Sequence, residues 1–208
     1  MKKIDTYIIE KIKKINSKNS NNISYKYFPK DSRELTQIIK DLIEERGNKA
    51  DLNDIDTSKI KDMCGMFEKS KFNGDISKWD VSNVEDMSYM FEKSKFNGDL
   101  SEWDVSNVKD MYAMFDGSKF TGQNGDISNW DVSNVETMKF MFCESNFNGD
   151  ISKWDIINVK DMSLMFCDSK FTGQNGDISV WDVSKVKNMI HMFKNTPLEK
   201  NPPKWYKS

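Results

Sequence analysis

The sequence predicts an α/β solenoid, an array of strand–short-helix rungs closed at its start by a helical cap. Two spacings and one pattern predict it. Trp79, Trp103, Trp130, Trp154, Trp181 and Trp205 lie 24, 27, 24, 27 and 24 residues apart. The Met-Phe pairs that begin at Met66, Met90, Met114, Met141, Met165 and Met192 lie 24, 24, 27, 24 and 27 residues apart. Self-similarity at such a period marks stacked structural units. Within one unit the apolar places are Phe72, Ile76, Trp79, Val81, Val84, Met87, Met90 and Phe91. Trp79 and Val81 alternate as on a strand, whereas Val84, Met87, Met90 and Phe91 follow the spacing of one helix face.

Residues 1–47 read as a helix–strand–helix cap, because the first rung of an array has an open apolar face that something non-repeating must cover. Ile4, Ile8, Ile12 and Ile15 mark an amphipathic helix over residues 3–15, with Lys on its other face. That basic helix also suits docking to a membrane surface or a partner. Asn16–Asn22 is a polar linker, and Ile23–Phe28 alternates like a short strand. Asp31 with Glu34 makes a capping box for a second helix, whose stripe is Leu35, Ile38, Ile39, Leu42 and Ile43 and whose stop is Gly47. Residues 48–208 form the array, about seven rungs with degenerate ends. Ile55 stands in the Trp place of the first rung, and Pro202 and Pro203 interrupt the last. Ser82 predicts an N-cap for the short helix of its rung, and Asn-Gly at Asn73–Gly74 the turn back to a strand.

Charge is nearly balanced at −2, with 31 Lys or Arg against 33 Asp or Glu. Only Arg33 and Arg46 are Arg, which weakens planar phosphate recognition and equally fits an AT-rich coding sequence; no direct nucleic-acid binding is expected. No stretch predicts a membrane span, and the charge-broken N-terminus does not read as an export signal, so the expected location is the cytoplasm. Three Cys do not make a disulfide framework. Cys143 and Cys167 fall in register on adjacent rungs, where a bridge is geometrically conceivable, but reduced thiols are the cytosolic expectation.

The recurring I-S-x-W-D-V-S-N-V-x-x-M-x-x-M-F pattern over Ala50–Trp205 resembles the BspA-like bacterial surface-protein repeats, also known as mycoplasma-type lipoprotein repeats and grouped with divergent leucine-rich repeats. The resemblance implies a right-handed, leucine-rich-repeat-like solenoid that binds proteins or mediates adhesion without catalysis, and whose relatives are often at the cell surface.

Candidate contact residues are those that recur as polar ladders or that vary between rungs. Asp80, Asp104, Asp131, Asp155 and Asp182 follow Trp, with Asp56 in the first rung. They serve either as local caps for the following corner or as an acidic ladder for a cation or basic partner. Lys78, Glu102, Asn129, Lys153 and Val180 vary before Trp. Tyr89, Tyr112, Phe140, Leu164 and Ile190 form an apolar stripe beside the paired Met, either packed against neighbouring helices or exposed as a partner surface. Two identical expansions, at Ser118–Ser128 and Ser169–Ser179, read as solvated bulges projecting from one side. They lack the spacing of a calcium loop. No nucleophile–base pair, nucleotide motif or Cys/His cluster is present, and the one His is His191. The expectation is therefore a monomeric, non-enzymatic binding module without cofactor or metal, with another protein as partner. A phage- or mobile-element-type inhibitor that occludes a host enzyme, or a surface adhesin, are the alternatives.

Overall fold

The computed structural model describes residues 24–207; the helix expected at 3–15 and the linker at Asn16–Asn22 lie outside them. Helix α1, Ser32–Arg46, forms where its apolar stripe predicts it. Asp31 accepts the Glu34 N–H at 2.9 Å, and Gly47 ends the helix at φ 85°. Glu34 reaches back to the Lys30 N–H at 2.8 Å. Leu35, Ile39 and Leu42 are buried in the same core as the repeated units. Arg46 sits over the Tyr27 ring and clamps Asp54 at 3.0 and 3.1 Å. Burial opposes ionisation of Asp54, but hydrogen bonds from Arg46 and Lys26 hold its carboxyl below the usual range.

The strand–helix rungs do not form, and the expectation of an α/β, leucine-rich-repeat-like solenoid is corrected here. Among the described residues α1 is the one α-helix; a three-residue 3₁₀ turn lies at Ile178–Val180. No strand forms among them. Pairing is confined to isolated parallel bridges such as Asp62–Asp86, Asp86–Asp110, Asp110–Thr137 and Thr137–Asp161. The strand expected at Ile23–Phe28 reduces to one bridge, Tyr27–Ile55.

Each unit is instead a run of tight turns. The N–H groups of Met90, Glu92 and Ser94 donate to carbonyls three residues back, at Met87, Tyr89 and Phe91. The intervening N–H groups leave the unit. Met87, Tyr89, Phe91 and Lys93 donate to Asp110, Tyr112, Met114 and Asp116 of the next unit at 2.9, 2.8, 2.9 and 2.7 Å. Tyr89 and Lys93 adopt φ of 56° and 51°, which no α-helix admits. Spacing explains why turns win over a helix. Phe67, Phe91, Phe115, Phe142, Phe166 and Phe193 stack ring on ring at 5.5–5.8 Å. A helix is about 10 Å across, so helices cannot stack in register at that repeat. One or two helical turns would also gain little by themselves.

The core is a set of columns in which the same repeat position of successive units stacks, mostly with one residue type. Beside the Phe spine runs a second column of Phe72, Phe96, Phe120, Phe147 and Phe171. The Trp column is buried except for the half-buried Trp205, and every indole N–H donates backward to a carbonyl of the preceding unit. The donors Trp79, Trp103, Trp130, Trp154, Trp181 and Trp205 meet Leu52, Ile76, Leu100, Ile127, Ile151 and Ile178 at 3.0–3.2 Å. Units approach so closely that a Cβ on Gly74 would lie 2.0 Å from the Ala50 carbonyl oxygen. The two expansions fold back on the preceding unit. Thr121 and Thr172 donate their N–H to the side-chain oxygens of Asn97 and Asn148, each at 2.9 Å.

Candidate functional site

The corners between columns are Asx turns. Asp80, Asp104, Asp131, Asp155 and Asp182 are exposed, and each Oδ1 accepts the N–H two residues on, at 2.9–3.1 Å. Hydrogen bonds from Ser133 and Ser184 hold Asp131 and Asp182 below the usual carboxylate range. Asn83, Asn107, Asn134 and Asn158 bridge from these corners to carbonyls of the preceding unit at 2.7–2.9 Å. The Asp ladder therefore has a local structural task in each unit, and its Oδ2 edge faces solvent. Lys78, Glu102, Asn129, Lys153 and Val180 are exposed beside it.

The stripe of Tyr89, Tyr112, Phe140, Leu164 and Ile190 belongs to two adjacent columns rather than one. Gly65, Tyr89, Ala113, Phe140, Leu164 and His191 share the left-handed backbone position, at φ of 50–62°. Tyr112 and Ile190 are each one residue earlier in their units. The columns still meet, because Tyr89 lies 4.9 Å from Tyr112 and Tyr112 lies 5.8 Å from Phe140. No neighbouring helix covers the stripe among the described residues. Tyr89 is 38 % exposed and Ile190 52 %, with Tyr112, Phe140 and Leu164 half-buried between them. A left-handed backbone costs a non-glycine residue roughly 1–2 kcal/mol, and Gly65 fills the same place without that strain. The Gly in M-C-G-M-F was the sequence signal for this geometry.

The column after the Phe spine holds Glu68, Glu92, Asp116, Cys143, Cys167 and Lys194. The expectation of reduced thiols is corrected: Cys143 and Cys167 form a disulfide across adjacent units, with Cα atoms 4.7 Å apart. Stacking itself brings the two residues within bridging distance. Cys64 is free and exposed, and its sulfur lies within 4.8 Å of carboxylate oxygens of Asp62 and Asp86. Burial and the carboxylates of Asp86, Asp62 and Asp110 push its thiol pKa up, although a hydrogen bond with Ser88 works the other way.

In the same column, burial pushes the Asp116 carboxyl up to about 6; Lys93 opposes the shift, and Glu144 and Glu92 add to it. The folded chain keeps this proton up to about pH 6, whereas the unfolded chain releases it near 3.8. Between those values the folded state binds more protons, so this group's contribution to stability falls as pH rises. Asp116→Asn is expected to stabilise the chain by about 1 kcal/mol at neutral pH, after allowance for solvent screening, and not at all below the unfolded value. Paired denaturant melts of the two proteins across that range check it.

A family model described as "Mycoplasma protein of unknown function, DUF285" matches residues 33–142 and again 118–207. No curated protein and no solved structure matches the chain. The two family matches overlap within the stacked units and together run from α1 to the last of them. The chain thus belongs to the repeat-type Mycoplasma family of unknown function DUF285.

Proposed function

We propose that this chain is a non-enzymatic protein-binding module whose contact surface is the stripe Tyr89–Tyr112–Phe140–Leu164–Ile190. The observation that carries this reading is the placement of Tyr89, Phe140 and Leu164 at strained left-handed positions on an open face. The fold itself accepts Gly65 or Ala113 there, so the turn does not require a large apolar side chain at these places. Aromatic rings with few rotatable bonds are suited to interface anchoring.

A second reading is a BspA-like surface adhesin. The Cys143–Cys167 bridge favours it, since disulfides persist in oxidising compartments. One experiment addresses both readings. Tagged chain is used to capture partners separately from lysate of the native organism and from membranes of cells that the organism contacts. It is compared with Tyr89→Ser/Phe140→Ser/Leu164→Ser and with Asp104→Lys/Asp131→Lys/Asp155→Lys. A stoichiometric partner that the stripe variant loses by about tenfold or more, and the charge-reversed variant retains, is the expected result. Loss only on charge reversal, with folding intact, would move the contact to the acidic ladder. The fraction that yields the partner separates the intracellular reading from the adhesin.

A further inference from the structure

The two ends of the stack are finished differently. At the first end α1 lies over the core, and the Ser32 hydroxyl donates to the Asp62 carbonyl. That carbonyl is the group a preceding unit would bond, as Asp86 accepts from Met63. The last end is covered on one side only. Trp205 stacks on Trp181 at 6.1 Å, and Tyr206 meets Phe193 at 5.1 Å. The other side, from Val183 to His191, has no such cover among the described residues.

Backbone and side chains both register this. In the preceding unit Met162, Leu164 and Phe166 donate to Asn188, Ile190 and Met192 at 2.8, 3.0 and 3.0 Å. Their counterparts Met189, His191 and Phe193 have no N–H acceptor among the described residues, and the Lys187 carbonyl receives no donor, whereas Lys160 receives Lys187. Asn195, the fourth of the column, is satisfied by Glu199 at 3.0 Å. Val183, Val186 and Met189 are half-buried. Their column-mates Val132, Val135 and Met138 are 1 %, 0 % and 0 % exposed. Val180 at 70 % and Ile190 at 52 % exposure lie on the same last unit.

We infer that the edge from Val183 to His191 is a second interaction surface, which takes a polypeptide segment of a partner protein stacked as the next unit would be on this side. The occupant follows from continuity with the interface between units. It must present carbonyls to the N–H groups of Met189 and His191, and an N–H to the Lys187 carbonyl. It must also lay an apolar Val-x-x-Val-x-x-Met face on Val183, Val186 and Met189. This is addition of a strand-like segment to an open edge, with turns in place of a strand. A second copy of this chain does not meet the requirement in the head-to-tail direction, because α1 and Ser32 occupy its acceptor end.

The test uses the full chain and a synthetic peptide with the sequence of residues 80–95, an internal unit free of Cys. In the chain alone, the amides of Met189 and His191 should exchange hydrogen fast while those of Met162 and Leu164 are protected. Peptide should slow the first two by about tenfold or more. A peptide with its Val84 and Met87 positions changed to Asp should not do so, and Val186→Glu in the chain should weaken binding by about tenfold. Protection of those amides in the chain alone overturns the inference. So does the lack of any effect at millimolar peptide, or binding that maps to Tyr89–Phe140. Concentration-dependent self-association abolished by Val186→Glu also overturns it, by giving the edge to a second copy.

Discussion

Trp130→Ala is expected to lower the unfolding free energy by about 4–5 kcal/mol, a large share of the roughly 5–15 kcal/mol margin of a typical domain. The side chain is 4 % exposed and stacks on Trp154 at 6.5 Å. Its loss leaves a cavity inside a column, where the units above and below are held apart by their own backbone bonds and cannot collapse into the space. It also strips the Leu100 carbonyl of its 3.0 Å donor, which adds about 1 kcal/mol. Trp130→Phe separates the two contributions: it keeps most of the apolar volume but removes the N–H, and should cost about 1–2 kcal/mol. Denaturant melts read by hydrogen exchange, unit by unit, give both numbers. A loss below about 2 kcal/mol for the alanine variant would show that the indoles fill space without linking units.

The paired change Cys143→Ser/Cys167→Ser is expected to cost about 3 kcal/mol by the loop-entropy account, since the bridge joins positions 24 residues apart. A reducing agent should shift the melt of the natural chain to that of the variant and leave the variant unmoved. A melt of the natural chain indifferent to reductant would show that the two units stay stacked without the link.

Much of this architecture is legible from the residues, and the parts that are not share a cause. The repeat period, the column membership of Trp, Val, Met and Phe, and the limits of α1 follow from local spacing and from capping residues such as Asp31 and Gly47. The turn geometry does not. Apolar residues three apart, as in Val84, Met87 and Met90, fit a helix and a run of three-residue turns equally well. The choice rests on the distance to the next unit, a quantity no local window contains. Tyr89 and Tyr112 look like one column in the sequence for the same reason: a helix would place both on one face, but turns distinguish the left-handed position from the one before it. The indole bonds are hidden because donor and acceptor lie 27 or 30 residues apart. The register of Cys143 and Cys167 is visible in the sequence, but the oxidation state of the pair is not.

The bridge has a mechanical meaning as well. A stack held by like contacts between neighbours loses order from its ends, one unit at a time. Here α1 seals one end, whereas among the described residues the other is covered on one side only, so fraying is expected to start near Ile190 and run inward as a zipper opens. The Cys143–Cys167 link lies across its path. It divides the molecule into a terminal stretch free to peel and rejoin, and an inner block that stays zipped until the link is reduced or the whole stack gives way.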